Sequence, residues 1–162
     1  MSEEWLYEPT FKNIKQLHSL NNLNSLFKNI RIYLSSGDFG TKWIQIDIIK
    51  ADQTRKIIAM AEAKEFLSFQ AVSECAEQLY LKKYLLKNFL NNKLWEEKSL
   101  IEKDSIREYQ LLFYIALGSY SGKGYNHAKS SEQNDLKKRL DEYSKYLSHI
   151  NRGHIGIFAF FK

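Results

Sequence analysis

Two apolar stretches flanking a short polar break constrain this chain more than any other feature. They read Trp43-Ile44-Gln45-Ile46-Asp47-Ile48-Ile49 and Ile57-Ile58-Ala59-Met60-Ala61-Glu62-Ala63-Lys64. β-Branched residues dominate the first and open the second, so the pair is predicted to form a β-hairpin over residues 42–66. Side chains alternate between the faces of a strand, which places Glu62 and Lys64 on the same side. Whether Asp47 joins them depends on register. If Gln53-Thr54-Arg55-Lys56 closes the turn, Asp52 pairs with Ile57 and Asp47 falls opposite Glu62, with Cβ atoms roughly 5 Å apart. A slip of one residue moves Asp47 to the other face. In the register with that four-residue turn, Ile44, Ile46 and Ile48 lie beside Ile57, Ala59, Ala61 and Ala63. Those small alanines would admit a closely packed helix, and the amphipathic segment from Phe69 is the expected one.

The rest of the chain is organised around this hairpin. Phe11, Ile14, Leu17, Leu20, Leu23, Leu26 and Phe27 recur at three-to-four spacing, which predicts a helix over 11–30. Arg31-Ile32-Tyr33-Leu34 reads as a short strand, and Ser35 to Gly40 as a turn. A helix is predicted over 69–91, with Val72, Cys75, Ala76, Leu79, Tyr80, Tyr84, Leu86 and Phe89 as its apolar stripe. Residues 106–119 are apolar on most sides and are read as a deeply buried helix, followed by a flexible loop over 118–124. A highly charged helix is expected over 131–150, and Gly156 to Phe161 as a closing buried strand. The order helix, three strands, helices, strand predicts an α/β (α+β) fold: a small mixed sheet covered by helices.

Composition narrows the class. A chain of 162 residues without repeats, low-complexity tracts or a linker is expected to be a single domain, 1–162. The lone Cys75 excludes an intramolecular disulfide framework and suits a reducing cytoplasm, and its helical context makes it a small core residue. No secretory leader pattern opens the sequence, and its apolar runs fall far short of the roughly 18 residues that a membrane-spanning helix needs. The expected location is therefore cytoplasmic, without a membrane partner. A net charge of +5 mildly favours polyanionic partners, but 19 acids are interleaved with 24 bases, so charge alone does not argue for nucleic acid.

The segment Ile46-Asp47 to Lys64-Glu65-Phe66, with the helix after it, resembles the PD-(D/E)xK nuclease superfamily, which includes many restriction enzymes, Holliday-junction resolvases and RecB-like nucleases. The resemblance covers residues 43 to about 90, and the element order extends it loosely over the whole chain. It implies a restriction-endonuclease-like core and Mg²⁺- or Mn²⁺-dependent hydrolysis of phosphodiesters. It also implies Asp47 and Glu62 as metal ligands, with the backbone carbonyl of Ala63 as a third. Lys64 would orient or activate the attacking water and stabilise charge at the phosphate. The chemistry is sound on its own terms, since Mg²⁺ takes hard oxygen ligands and an adjacent ammonium meets the charge that develops at phosphorus.

The sequence departs from the family pattern in two places. No Pro or Gly precedes Asp47. The Gln-x-x-x-Tyr that RecB-like members carry on the following helix matches Gln110 and Tyr114 in letters, but 46 residues beyond Lys64. Gln78 lies on the expected helix and is the favoured polar residue there. The implied substrate is nucleic acid, DNA before RNA, with a homodimer or partner protein supplying specificity in so small a chain.

Other candidates carry less. Asp38-Phe39-Gly40 reads as a turn, with Asp38 a fallback carboxylate. Gly118 to Lys123 is one residue short of a phosphate loop, and Gly124 stands where a Ser or Thr should bind Mg²⁺. His18, His127, His149 and His154 lack metal-ligand spacing with one another or with Cys75. Lys82, Lys83, Lys87, Lys137, Lys138 and Arg139 read as solvated helix faces, and Glu3, Glu4 and Glu8 as acids ahead of the first helix. The rival to catalysis is a binding protein, either an immunity- or antitoxin-type partner or an accessory subunit of a defence or mobile-element system.

Overall fold

A computed structural model describes residues 4–25, 31–36, 40–45, 49–65, 67–84, 107–119 and 130–161. Its elements are α1 (Glu4–Leu17), β1 (Asn24–Ser25), β2 (Arg31–Ser36), β3 (Gly40–Gln45), β4 (Lys50–Asp52), β5 (Ile57–Lys64), α2 (Phe69–Tyr84), β6 (Gln110–Ser119), α3 (Ser130–Asn151) and β7 (Ile155–Phe161). Five strands form a mixed sheet in the order β1-β4-β5-β6-β7. β4 runs antiparallel to β1 and β5, whereas β5, β6 and β7 are parallel. The expected α/β class and mixed sheet are therefore present.

The hairpin turn follows the expected register. Asp52 pairs with Ile57, Ala51 with Ile58 and Lys50 with Ala59, around the four-residue turn Gln53–Lys56. The Asp52 carboxylate accepts the Arg55 N–H at 2.9 Å, and Lys56 takes a left-handed φ of 53° that leads the chain into β5. The first apolar stretch is nevertheless not one long hairpin strand. Residues 40–45 pair instead with 31–36, from Ser36↔Gly40 to Arg31↔Gln45, in a separate two-stranded sheet. Ile44 thus faces Ile32 across that ladder rather than standing next to β5. Ile46, Asp47 and Ile48 lie outside the described residues.

The predicted helix over 106–119 is a strand. β6 is buried on both faces between two parallel neighbours, so its residues read as a continuous apolar run with no period of two. Burial was readable there, but the element type was not. The first helix is also displaced, running from Glu4 to Leu17 rather than over 11–30. It ends in a Schellman motif: Leu20 N–H bonds to the Lys15 carbonyl at 2.9 Å, and Ser19 holds the left-handed position at φ 51°. Leu20 is buried beyond the helix end, and for that reason the apolar spacing runs on where the helix does not. α2 begins at Phe69 as expected, with the Ser68 hydroxyl accepting the Ala71 N–H at 3.1 Å as an N-cap. α3 and β7 match their predicted spans within a residue.

Helices clad both faces of the sheet. Ile58, Met60, Phe113, Ile115, Leu117 and Ile155 form one core with α2 and α3. The parallel connections β5 to β6 and β6 to β7 carry both helices on that side. Ile57, Ala59, Ala61 and Ala63 face the other way, against Phe11, Ile14 and Leu6 of α1. The alanine column therefore accommodates α1 and not, as predicted, the helix from Phe69. The reason is alternation: α2 covers the even-numbered face of β5, where the larger side chains lie.

Tyr114 lies on the α1 face, buried, stacked on Phe158 at 4.8 Å, with the His18 and His154 rings edge-on to it at 6.0 and 5.8 Å. Its hydroxyl shares a 2.7 Å hydrogen bond with His18 Nε2. Arg55 ties the hairpin turn to the end of α1, donating to the carbonyls of His18 (3.1 Å) and Ser19 (2.9 Å). Burial, then the charges of His154 and Arg55, hold the His18 pKa below its ordinary 6.5. A histidine depressed in the folded state binds fewer protons there than in the unfolded chain. Its contribution is complete above 6.5 and is lost as the pH falls from 6.5 through the folded value. Thermal denaturation of wild type should show a melting temperature that falls across that acid window, with a shallower fall in His18→Gln.

Close approach of α1 also depends on Gly118. A Cβ at that position would lie 2.5 Å from Leu6 Cδ2 and 2.6 Å from Trp5 Cζ2. Gly118→Ala should cost about 1–3 kcal/mol by urea unfolding, as overpacking of a tight interface does.

Candidate functional site

β5 places Glu62 and Lys64 two residues apart on the face that α2 crosses, level with Ile115 and Leu117 of β6. α2 answers with a row at helical spacing, Glu74, Gln78 and Lys82, each one turn beyond the last. The rows meet in opposite senses. Lys64 Nζ lies 3.4 Å from a Glu74 carboxylate oxygen, and Lys82 Nζ is ion-paired with Glu62 Oε1. Gln78 is half-buried on the helix turn between the two pairs. Gln70 donates to Glu74 at 3.2 Å, holding that carboxylate from the preceding turn.

The two pairs differ sharply in solvation. The Lys64 and Glu74 side chains are 42% and 46% exposed, whereas Lys82 is 1% and Glu62 15% exposed. An ammonium so buried is stable only beside a compensating charge, because its desolvation costs several kcal/mol. Glu62 supplies that charge, and the Ala61 carbonyl accepts a longer contact from Lys82 Nζ at 3.5 Å. Lys82 was expected on a solvated face and is instead among the largest fully buried side chains. A sequence signal for it exists, since Lys82 continues the apolar stripe three residues after Leu79 and seven after Cys75. Lys83, placed with it, is partly buried and donates to Asn151 Oδ1 at 3.1 Å and to the Asn151 carbonyl at 3.2 Å.

The expected residues are thus partly assembled. Glu62 and Lys64 share a face and Gln78 stands on the helix above it. That face was predicted to be open for chemistry and is largely roofed by α2, since the sheet needs both sides covered. Ala63 is buried with its side chain toward α1, opposite the Glu62 face. Glu8 is an exposed residue of α1, on the far side of the sheet. Asp47 and the fallback Asp38 lie outside the described residues, as do Gly124, His127 and Lys87. Gln110 is exposed where β6 begins, and Tyr114 belongs to the core facing α1.

No protein-family profile matches the chain, and neither a curated protein nor a solved structure is detectably similar to it. Among the described residues no helix is long and apolar enough to cross a membrane.

The resemblance implies a divalent cation at this point, and its donors can be tested against the geometry. Among the described residues no three His, Cys, Asp or Glu side chains converge. The chemistry of the position nonetheless suits a hard cation. One carboxylate oxygen and one backbone carbonyl already flank a positive charge there, that of the Lys82 ammonium. Glu62 is an expected side-chain donor that the described residues place there, and Asp47 lies outside them.

The contrast in burial sets a measurable difference. In urea unfolding, Lys64→Ala should cost below about 1 kcal/mol, as exposed pairs do. Lys82→Met, which strands a poorly solvated carboxylate, should cost about 3–5 kcal/mol.

Proposed function

We propose that this chain is a small metal-dependent nuclease of the PD-(D/E)xK type, hydrolysing phosphodiester bonds of DNA with Mg²⁺ or Mn²⁺. The observation that carries the reading is the placement of Glu62 and Lys64. They lie on one face of a central strand that follows a tight antiparallel turn and precedes a helix and a parallel strand. That placement supports the reading, although the sequence put a helix where β6 stands and took residues 43–49 as one strand beside β5, whereas residues 40–45 pair with 31–36.

In this reading Glu62 and Asp47 hold the metal with the main-chain carbonyl of Ala63. The bound ion would polarise the phosphoryl group and lower the pKa of its water. The protein's own residues do the rest. Glu62 is held in place by burial beneath α2, so its oxygens need little reorganisation. Lys64 is half-exposed, and its exchangeable contact with Glu74 leaves its ammonium able to turn toward a phosphate oxygen at the solvent edge. Gln78, one turn from both Glu74 and Lys82, can orient a water or a phosphate oxygen by hydrogen bonding.

One observation favours a second reading. Glu62 is already neutralised by a buried cation, as expected of a structural ion pair in a non-catalytic binding protein such as an immunity-type partner. Cleavage of a supercoiled plasmid and of single-stranded oligonucleotides, DNA and RNA, in Mg²⁺ and in Mn²⁺ separates the two. Wild type should cut with metal and not in chelator, and Glu62→Gln and Lys64→Ala should each lose about a hundredfold or more in rate. Lys56→Ala, which removes an exposed pair with Glu108 at the far end of β5, should cut as wild type does. Equal cleavage by Glu62→Gln would overturn the nuclease reading.

A further inference from the structure

Lys82 is the charged side chain in this region that the nuclease reading leaves without a role. It is nearly inaccessible to solvent, it comes from a different element than the Glu-x-Lys strand, and its ammonium sits on Glu62 Oε1. Its other described contact is the Ala61 carbonyl at 3.5 Å. A carboxylate oxygen and a main-chain carbonyl oxygen are also the donors that a divalent cation would seek, so the ammonium stands in for such an ion. A lysine also suits displacement, because its charge is a compact point on a flexible four-carbon stem, unlike the rigid fork of arginine.

We propose that Lys82 is a tethered counter-cation that competes with the divalent metal for Glu62, so that metal enters only as the Lys82 ammonium withdraws. The inference rests on the nuclease reading, since it takes Glu62 as a metal ligand. Its physical basis is that a poorly solvated carboxylate cannot stand uncompensated, so one positive charge must replace another. In the metal-free protein the ion pair with Lys82 fixes the Glu62 rotamer. The metal's apparent affinity is lowered by the free energy needed to part the pair. This device would keep Glu62 committed to the fold until metal is abundant, or until a bound phosphate draws the ammonium away.

The test is Mn²⁺ binding measured by calorimetry on wild type, Lys82→Met, Glu62→Gln and the double variant, with circular dichroism to establish folding. Lys82→Met should bind Mn²⁺ at least about tenfold more tightly than wild type, because a unit charge at contact distance no longer competes. Glu62→Gln and the double variant should not bind. Equal or weaker binding by folded Lys82→Met, alongside measurable wild-type binding, would overturn the competition and leave the metal reading standing. Absence of binding in both folded proteins would overturn the metal reading itself, and the competition with it.

If Lys82→Met does not fold, the wild type decides. Acetylation by an amine-reactive ester, mapped by mass spectrometry, should spare Lys82 without metal and modify it in saturating Mn²⁺. Unchanged protection of Lys82 at a Mn²⁺ concentration that calorimetry shows to be saturating would overturn the proposal. If calorimetry on that wild type detects no Mn²⁺ binding, the metal reading falls.

Discussion

The structure depends on the position of β5. It lies in the middle of the five-stranded sheet, antiparallel to β4 and parallel to β6, and helices cover both of its faces. Alternation then divides its residues into two sets with different demands. Toward α1 the strand offers Ala59, Ala61 and Ala63, all buried, so the helix backbone can lie near the sheet. Toward α2 it offers Ile58 and Met60 to the core, and then two charged residues, Glu62 and Lys64. Charges on a covered face must be matched by the covering element, and α2 supplies Lys82 and Glu74 at the required spacing. The two pairs together fix the helix along the strand, since a shift of one turn would set Glu62 against Gln78 and leave Lys82 without its anion.

The two pairs are not energetic equals, although they look symmetrical on paper. Lys64 and Glu74 are almost half-exposed, so water screens their attraction and the contact is readily exchanged. Lys82 and Glu62 are deeply desolvated, and each makes the other tolerable. A ligand arriving from solvent therefore meets Lys64 as an available cation but meets Glu62 as a committed anion.

How much of this could be read beforehand follows from how local each determinant is. The polar turn was readable from the apolar runs that bound it, but its register, with Asp52 paired to Ile57, was one of two that the sequence left open. α2, α3 and β7 were readable from periodicity and from flanking polar residues. β6 was not, because a strand buried on both faces loses its period of two and reads like a buried helix segment. The stop of α1 was hidden because Ser19, not glycine, adopts the left-handed conformation, and because Leu20 is buried just after it. The partner of residues 40–45 was not fixed by the sequence, which offers a strand on either side of them, at 31–36 and at 57–64. At the site, the shared face of Glu62 and Lys64 followed from alternation alone. The roof over it did not, because which helix covers which face is a property of the whole topology and not of any local segment.

α2 lies over the Glu62 face, and that cover makes the carboxylate hard to solvate and in need of a cation. The need is independent of which cation meets it. An ammonium meets it from within the chain, and a divalent metal would meet it from outside. The same poor solvation that binds Lys82 tightly would strengthen any hard ion that displaced it. A surface carboxylate would bind either ion weakly and choose between them by concentration. A covered one forces an exchange, in which one charge leaves as another arrives. The charge of α2 that Glu62 holds at 1% exposure is therefore part of whatever Glu62 does, and a description of the site that ends at the Glu-x-Lys strand omits half of its electrostatics.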